Sequence, residues 1–359
     1  MRGTDQQRYN GRINASAEIT SWLRVGTNTT YSYTHDNMTD DNAYYKAYYC
    51  DPLIDNNPYM NDATRFETEY LTTWWQSPNT ERTNNFNPYN TLEIQTERSR
   101  YHFTSSNYIN INPIEGLNIR STFAINRAEQ SWNQYQPTGI QEAIRYRGGD
   151  AYATQQRFGN TQWQWDNTAQ YVRSFNNEHN LDVFFGTSAS RNIYNYVKAN
   201  GQRFASNDLG WDQLGSAADW ENSRPDSGHT VTSLMSYVGR VNYNYKYRYF
   251  ATFTGRWDGS SKFGEGHQWG FFPSFSLAWD ITNEPFFPKL TWIDQIKIRG
   301  GYGSVGNQNI GNYLYATMYY PSASNGEASF TTNGRRGTPS LTWEKQKQTN
   351  IGVDLSFFN

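Results

Sequence analysis

LMSYVGRVNYNYKYRYFATFTGRWDGSSKFGEGHQWGFFPSFSLAWDI, residues Leu234 to Ile281, decides the fold. Read in twos, Met235, Tyr237, Gly239, Val241, Tyr243 and Tyr245 fall on one face, and Ser236, Arg240, Asn242 and Asn244 on the other. The next run sets Tyr249, Ala251, Phe253, Gly255 and Trp257 against Thr252, Thr254, Arg256 and Asp258. The third sets Phe271, Pro273, Phe275, Leu277, Trp279 and Ile281 against Ser274, Ser276, Ala278 and Asp280. Three consecutive strands thus carry one apolar and one polar face. A soluble sandwich would cover the apolar face with a second sheet. Here charges stand mid-strand on the polar face and aromatic rings end the apolar one, the pattern of a transmembrane barrel with lipid outside, a polar lumen and aromatic girdles. Leu277 is then expected on the lipid side near mid-bilayer, and Ser276 in the lumen.

Composition agrees with a barrel. The mean hydropathy of -0.89 reflects the absence of any run near the roughly 20 apolar residues that a spanning helix needs. A barrel strand shows only alternate residues to lipid, so a large barrel reads as hydrophilic. Aromatic residues make up 17%, more than a compact soluble core requires. The net charge of -2, with no basic stripe, gives no case for nucleic acid. A single cysteine, Cys50, excludes a disulfide framework or a cysteine-rich zinc site within the chain and reads as an unpaired loop thiol. The start, MRGTDQQRYNGRINA, is polar and strand-like rather than a signal peptide, so a leader is expected to be removed or encoded upstream.

Working outward, strands are expected near Arg8–Ile19, Leu23–Tyr33, Glu93–Asn112, Leu117–Trp132, Arg157–Phe175 and Asn180–Val197 before the central three. Two more follow, near Gln295–Val305 and Thr342–Phe357, with one short helical turn possible between Asn283 and Asp294. Tight connections at Thr20-Ser21, Pro113–Gly116, Asn176–His179 and Lys246–Arg248 alternate with long ones near His35–Asn90, Asn133–Thr154, Lys198–Thr230 and Asn307–Leu341. Long structureless inserts are usually functional. Short turns at one end and, but for the tighter Gly264–Gln268 connection, long loops at the other match the periplasmic and extracellular ends of outer-membrane barrels, so the chain should begin outside and end in the periplasm. The expected fold is all-β, about eleven up-and-down antiparallel strands. An odd number cannot close, and open edges cannot persist in lipid, so the sheet should belong to a larger barrel.

At this point particular residues resemble a known family, the SusC/RagA group of TonB-linked outer-membrane transporters. The carrying motifs are GRVNYNYKYRYF (Gly239–Phe250), RWDGSSKFG (Arg256–Gly264), WGFFPSFSLAWDI (Trp269–Ile281), IKIRGGYGSVGNQNIGNY (Ile296–Tyr313) and PSLTWEKQKQTNIGVDLSFFN (Pro339–Asn359). Residues 1 to about 230 fit more loosely, best at Ile19–Tyr33. The resemblance implies a barrel of about 22 strands with a plugged lumen, import of oligosaccharides or peptides, a SusD-like surface lipoprotein as lid, and drive through TonB. The family's signal sequence, TonB box, plug domain and last strands have no match here, so residues 1–359 are expected to be a TonB-dependent receptor-like barrel segment.

Motifs for chemistry are sparse. Gly301–Gly306 matches G-x-G-x-x-G, but a loop sequence follows where a dinucleotide site needs a helix, and a small-residue barrel strand is the better reading. Asp36–Asn42 clusters oxygen ligands yet lacks the turn glycine and terminal glutamate of a calcium loop, and reads as a solvated acidic loop. The five histidines are dispersed and no G-x-S-x-G elbow occurs. No cofactor, metal or catalytic residue is expected, and the role is non-enzymatic. Trp74, Trp75, Trp211 and Trp220 lie in expected outer loops, where indoles either stack on sugar faces or pack the loops together, and packing is the better-supported reading. Trp163, Trp165, Trp257, Trp279 and Trp292 read as lipid-interface anchors, and Arg240, Asn242, Arg256 and Asp280 as lumen groups. The competing architecture is a soluble, secreted all-β carbohydrate-binding module or glycoside hydrolase, with the Phe271–Ile281 face under a second sheet.

Overall fold

The computed structural model describes residues 4–39, 92–138, 147–219, 225–288, 290–324, 327–332 and 335–358, with Tyr48, Ile140 and Ser223. Thirteen strands are found: β1 (Asp5–Thr20), β2 (Leu23–Met38), β3 (Gln95–Ile111), β4 (Leu117–Gln136), β5 (Tyr152–Phe175), β6 (His179–Gln202), β7 (Asp226–Tyr245), β8 (Tyr249–Ser260), β9 (Trp269–Asp280), β10 (Gln295–Asn307), β11 (Tyr319–Ser324), β12 (Glu327–Thr332) and β13 (Glu344–Ser356). Eleven form one antiparallel sheet in the order β1 to β10 and then β13, open at β1 and β13. The other two, β11 and β12, make a hairpin inside the expected Asn307–Leu341 loop. A 3-10 turn lies at Ile281–Asn283, just ahead of the Asn283–Asp294 stretch where a helical turn is expected and sharing only Asn283 with it.

The tight turns close because their backbones suit strand twist. At Asn176-Asn177 and Lys246-Tyr247 both central residues have φ between 53 and 57°, the mirror-image turn that matches right-handed strands. Asparagine tolerates this region. Lys246 and Tyr247 cost on the order of 1 kcal/mol each there, offset by local bonds: Lys246 Nζ to Glu178 at 2.9 Å, Tyr247 N–H to Asn244 Oδ1 at 2.8 Å, and Asn283 Nδ2 to the Tyr247 carbonyl at 2.9 Å.

Register carries the alternation across the sheet. Val241, Phe253, Phe275 and Tyr302 form one bonded row, and Tyr245, Tyr249, Trp279, Ile298 and Val353 another, all on the apolar face. No second layer covers that face among the described residues: Phe253 is 53% exposed, Phe275 51% and Leu277 61%. The covered face of the sandwich alternative is absent from these strands. Aromatic rings gather at two levels. Near the turns, Tyr245–Tyr249 and Tyr249–Trp279 stack with centroids 6.4 Å apart. Farther out, Tyr237, Trp257 and Trp269 cluster at 5.0–6.3 Å. Gly259 pairs with Trp269, whose ring lies where a Cβ would sit, at 2.7 Å. A side chain there would push the indole out of this outer cluster.

The strands are staggered as barrel closure requires. From Leu23, the first residue of β2, bonded partners run through Ile111, Ile119, Ala169, Phe185 and Gly239 to Gly255, six residues above the turn end of β8 after six strand steps. The slip is taken up between β2 and β5 and averages one residue per strand, about 3.3 Å against about 4.8 Å between strands, for a mean tilt of about 35°. Tyr249 and Trp257 are then separated by about 22 Å along the barrel axis, close to the ~25 Å apolar band of such barrels. Phe253 sits midway. Leu277 pairs with Ala251, one face position above the inner ring row, so it lies nearer the periplasmic interface than mid-bilayer, which corrects the sequence expectation.

Three strand boundaries also move. β5 and β6 run to 24 residues each, past the ends expected at Arg157 and Val197. β2 continues through Met38, so Asp36 stands in a strand, 2% exposed, and not in a solvated loop. Arg98 and Arg100 bind its carboxylate at 3.0 and 2.8 Å, and Gln6 donates to it at 2.6 Å. Residues 40–42 of the oxygen-rich run, and Cys50, lie outside the described residues.

Candidate functional site: the polar face of the wall

The lumen groups named from sequence fall on one face and are zipped together. Arg256 Nε donates to Asp258 at 2.7 Å and its Nη2 to Ser236 at 3.1 Å. Asn242 and Gln170 both donate to Asp182, at 3.1 and 2.9 Å. Gln295 donates to Asp280 at 2.7 Å, and Arg240 lies 5.4 Å over the Phe184 ring. The pairing holds each strand's polar side chains flat against the wall.

At the outer end of β8, RWDGSSKFG builds a small closed core. Phe263, Phe272 and Trp343 are buried together, with ring centroids 5.3 and 5.4 Å from Trp343. Trp343 Nε1 donates to the Gln268 carbonyl at 2.9 Å, and Lys262 Nζ to the Ile310 carbonyl at 2.9 Å. This ties the β8–β9 turn to the chain after β10. Gly301–Gly306 lies within β10, as strand.

Toward β1 the polar face opens into a groove of about 570 Å³. One bonded row crosses it, Arg8–Thr34–Arg100–Gln130–Phe158–Tyr196, six strands wide. The row next to it contributes His102, Asn160 and Tyr194. Tyr194 and Phe158 each approach Tyr196 with centroids 6.2 and 6.4 Å apart. Two buried polar atoms among the groove residues have no hydrogen-bond partner, Arg100 Nε and Asn160 Oδ1. The first lacks an acceptor and the second a donor. Sequence reading missed the row, whose members are spread from residue 8 to residue 196. Counting outward from each tight turn is the signal that could have found it.

Trp211 is partly buried against Tyr135, Ala151, Ala153, Phe204 and Ala217, and its carbonyl accepts from Gln155 at 2.9 Å. It caps the outer tip of β4–β6 and is not among the groove residues. Trp74, Trp75 and Trp220 lie outside the described residues. Among the described residues, no three His, Cys, Asp or Glu side chains gather as a metal site.

At the periplasmic end, the belt is fixed by a carboxylate. Trp279 Nε1 donates to Glu284 at 2.9 Å and Arg248 lies 3.5 Å from it. The Tyr249 hydroxyl, the Trp279 indole and then Arg248 together hold the Glu284 carboxyl below its ordinary range, against a smaller opposing effect of burial.

Comparison with known proteins places this wall. No protein-family profile matches the chain. A TonB-dependent receptor of Formosa agariphila is 27% identical across 100% of this chain and 33% of its own length. The TonB-dependent receptor SusC of Bacteroides thetaiotaomicron is 33% identical over 56% of this chain and 21% of its own. Among solved structures, the RagAB peptide importer in its 'closed-closed' state superposes with TM-score 0.77 at 21% identity, covering 99% of this chain and 39% of that one. A second structure, of the RagAB peptide transporter, superposes with TM-score 0.75 at 20% identity over 99% of this chain and 39% of that one. The chain spans about a third of the length of the curated relatives first matched, 33% and 35%.

Proposed function

We propose that this chain, which is similar to TonB-dependent receptors that include SusC and is folded like part of the RagAB structures, forms wall and outer mouth of an importer carrying oligosaccharides, or peptides, across a bacterial outer membrane. The observation that carries this reading is the single sheet with an uncovered ring-bordered apolar face and a polar face zipped by ion pairs and amides. A lipid outside and a wet lumen account for both faces at once. The intact protein works with a SusD-like surface lipoprotein at its outer end and with TonB at its periplasmic end. It acts by passage and not by catalysis. The barrel segment assignment for residues 1–359 belongs to the same proposal, as do Trp74, Trp75, Trp211 and Trp220 as outer-loop contacts for ligand or lid.

The test is uptake of fluorescently labelled oligosaccharides and peptides by cells with the intact gene or with codons 226–281 removed, with and without a protonophore. Energy-dependent uptake that needs the gene is expected, with the protein in the outer-membrane fraction. A protein recovered in the soluble fraction, or uptake indifferent to the deletion, would sink the reading.

A further inference from the structure

The groove row runs from cations through amides to rings, and its charge does not cancel. Around its first strands stand Arg8, Arg98 and Arg100, answered on the same face, among the described residues, by one carboxylate, Asp36, which Arg98 and Arg100 already share; the next carboxylate, Asp226, lies at the far end on the Tyr196 hydroxyl at 3.1 Å, opposite Lys198. Glu129 also borders the groove but is bound by Arg127, whose Nε donates to it at 2.8 Å. Arg8 makes a 3.1 Å bond from Nε to Asn10, which neutralises nothing. At the other end, Phe158 and Tyr194 offer flat apolar faces.

Both ends of the row hold a side chain short of partners: Arg100 Nε and Asn160 Oδ1 are covered and unbonded, while the Arg100 side chain as a whole is 41% exposed and both residues line the groove. On a guanidinium an anionic acceptor gives the stronger bond, and an amide takes a hydroxyl as donor or acceptor. Arg100 and Asn160 stand two strands and two residues apart in the ladder, about 12 Å, longer than one sugar ring. We propose that this row is a binding strip for a negatively charged oligosaccharide, its charge carried by carboxylate or sulfate, with the acidic group on Arg100 and Arg8, a hydroxyl on Asn160, and a ring face on Phe158 and Tyr194. A neutral glycan would leave the cationic end unanswered. An acidic peptide of Asp and Glu would answer it but has no ring faces to lay along the aromatic end. The inference rests on the importer reading and narrows its substrate.

The experiment is direct binding to the purified full-length protein in detergent micelles, by calorimetry, which needs no energised membrane. The ligands are an oligogalacturonate, a sulfated galactan oligosaccharide, maltohexaose and an acidic peptide of similar length. The expected result is binding of one or both acidic sugars at least tenfold tighter than maltohexaose and the peptide, weakening as salt rises. Comparing the first two ligands tells carboxylate from sulfate. Arg100→Gln should cost about 10- to 100-fold, and Phe158→Ala about tenfold. Arg120→Gln, on the same face but stacked 4.1 Å over Tyr108, should change nothing. Retained heat-modifiable gel mobility certifies folding of each variant. Equal or tighter binding of maltohexaose or the peptide overturns the proposal while leaving an importer of another cargo, as does an Arg100→Gln affinity equal to wild type. Acidic-sugar binding without cellular uptake would instead count against import and leave the strip standing.

Discussion

Placing an arginine at three points of β8 and β9 tests the lipid-facing assignment by depth. Phe253 sits four residues from both Tyr249 and Trp257, so at the 35° tilt its side chain lies about 11 Å from either ring level, at the centre of the apolar band. Leu277 is two residues from Trp279, about 5 Å above the inner ring level. Ser276, its chain neighbour, is exposed on the polar face. Arginine on the lipid side costs about 2–4 kcal/mol at mid-bilayer and falls toward zero at the interfaces. Phe253→Arg should therefore lose about 3 kcal/mol, more than a hundredfold in the folding equilibrium, and Leu277→Arg about 1–2 kcal/mol. Ser276→Arg should stay within about 0.5 kcal/mol. The assay is urea titration of the full-length protein in lipid vesicles, read by tryptophan fluorescence and gel mobility. Equal losses at Phe253 and Ser276, or a larger loss at Leu277 than at Phe253, would refute the assignment of faces and depth.

Three further outcomes are expected. Because the folded Glu284 carboxyl titrates below its unfolded value, its contribution is present above that value and disappears as pH falls through the folded one; unfolding midpoints should drop as the pH falls below the ordinary glutamate range, and Glu284→Gln should flatten that part of the curve. Trp343→Ala empties the contacts of Phe263 and Phe272 and should cost about 3–5 kcal/mol locally, seen as faster amide exchange in residues 261–268 with β1–β4 unchanged. Asp36→Ala leaves two half-exposed arginines facing one another and should cost about 1–3 kcal/mol, with Arg100→Gln in the same chain recovering part of it in a double-mutant cycle.

The central strands were legible because lipid demands apolar residues on every other position, and that demand writes period two into Leu234–Ile281. Where the wall leaves the membrane the demand stops. β5 and β6 continue with water on both faces, so Tyr152–Gln156 and Lys198–Gln202 carry little alternation and read as loop. Asp36 misled for a related reason: its neighbours Asn37 and Thr39 look like loop residues, and only the register reveals Arg98 and Arg100 beside it. The β11–β12 hairpin pairs locally within a polar run, without a face to mark it. The groove row was invisible in the linear sequence because antiparallel pairing, not proximity along the chain, joins Arg8 to Tyr196.

The length of β5 sets a height. From Trp165 at the outer ring level to Tyr152, thirteen residues stand clear of the bilayer, about 35 Å at the inferred tilt. Hydrogen-bonded on both sides, this parapet neither shortens nor bends easily. Its rim stands several Debye lengths above the lipid phosphates, since screening at physiological salt acts over about 8 Å. A charged solute arriving from solution thus meets the rim before it feels the membrane's own negative charge.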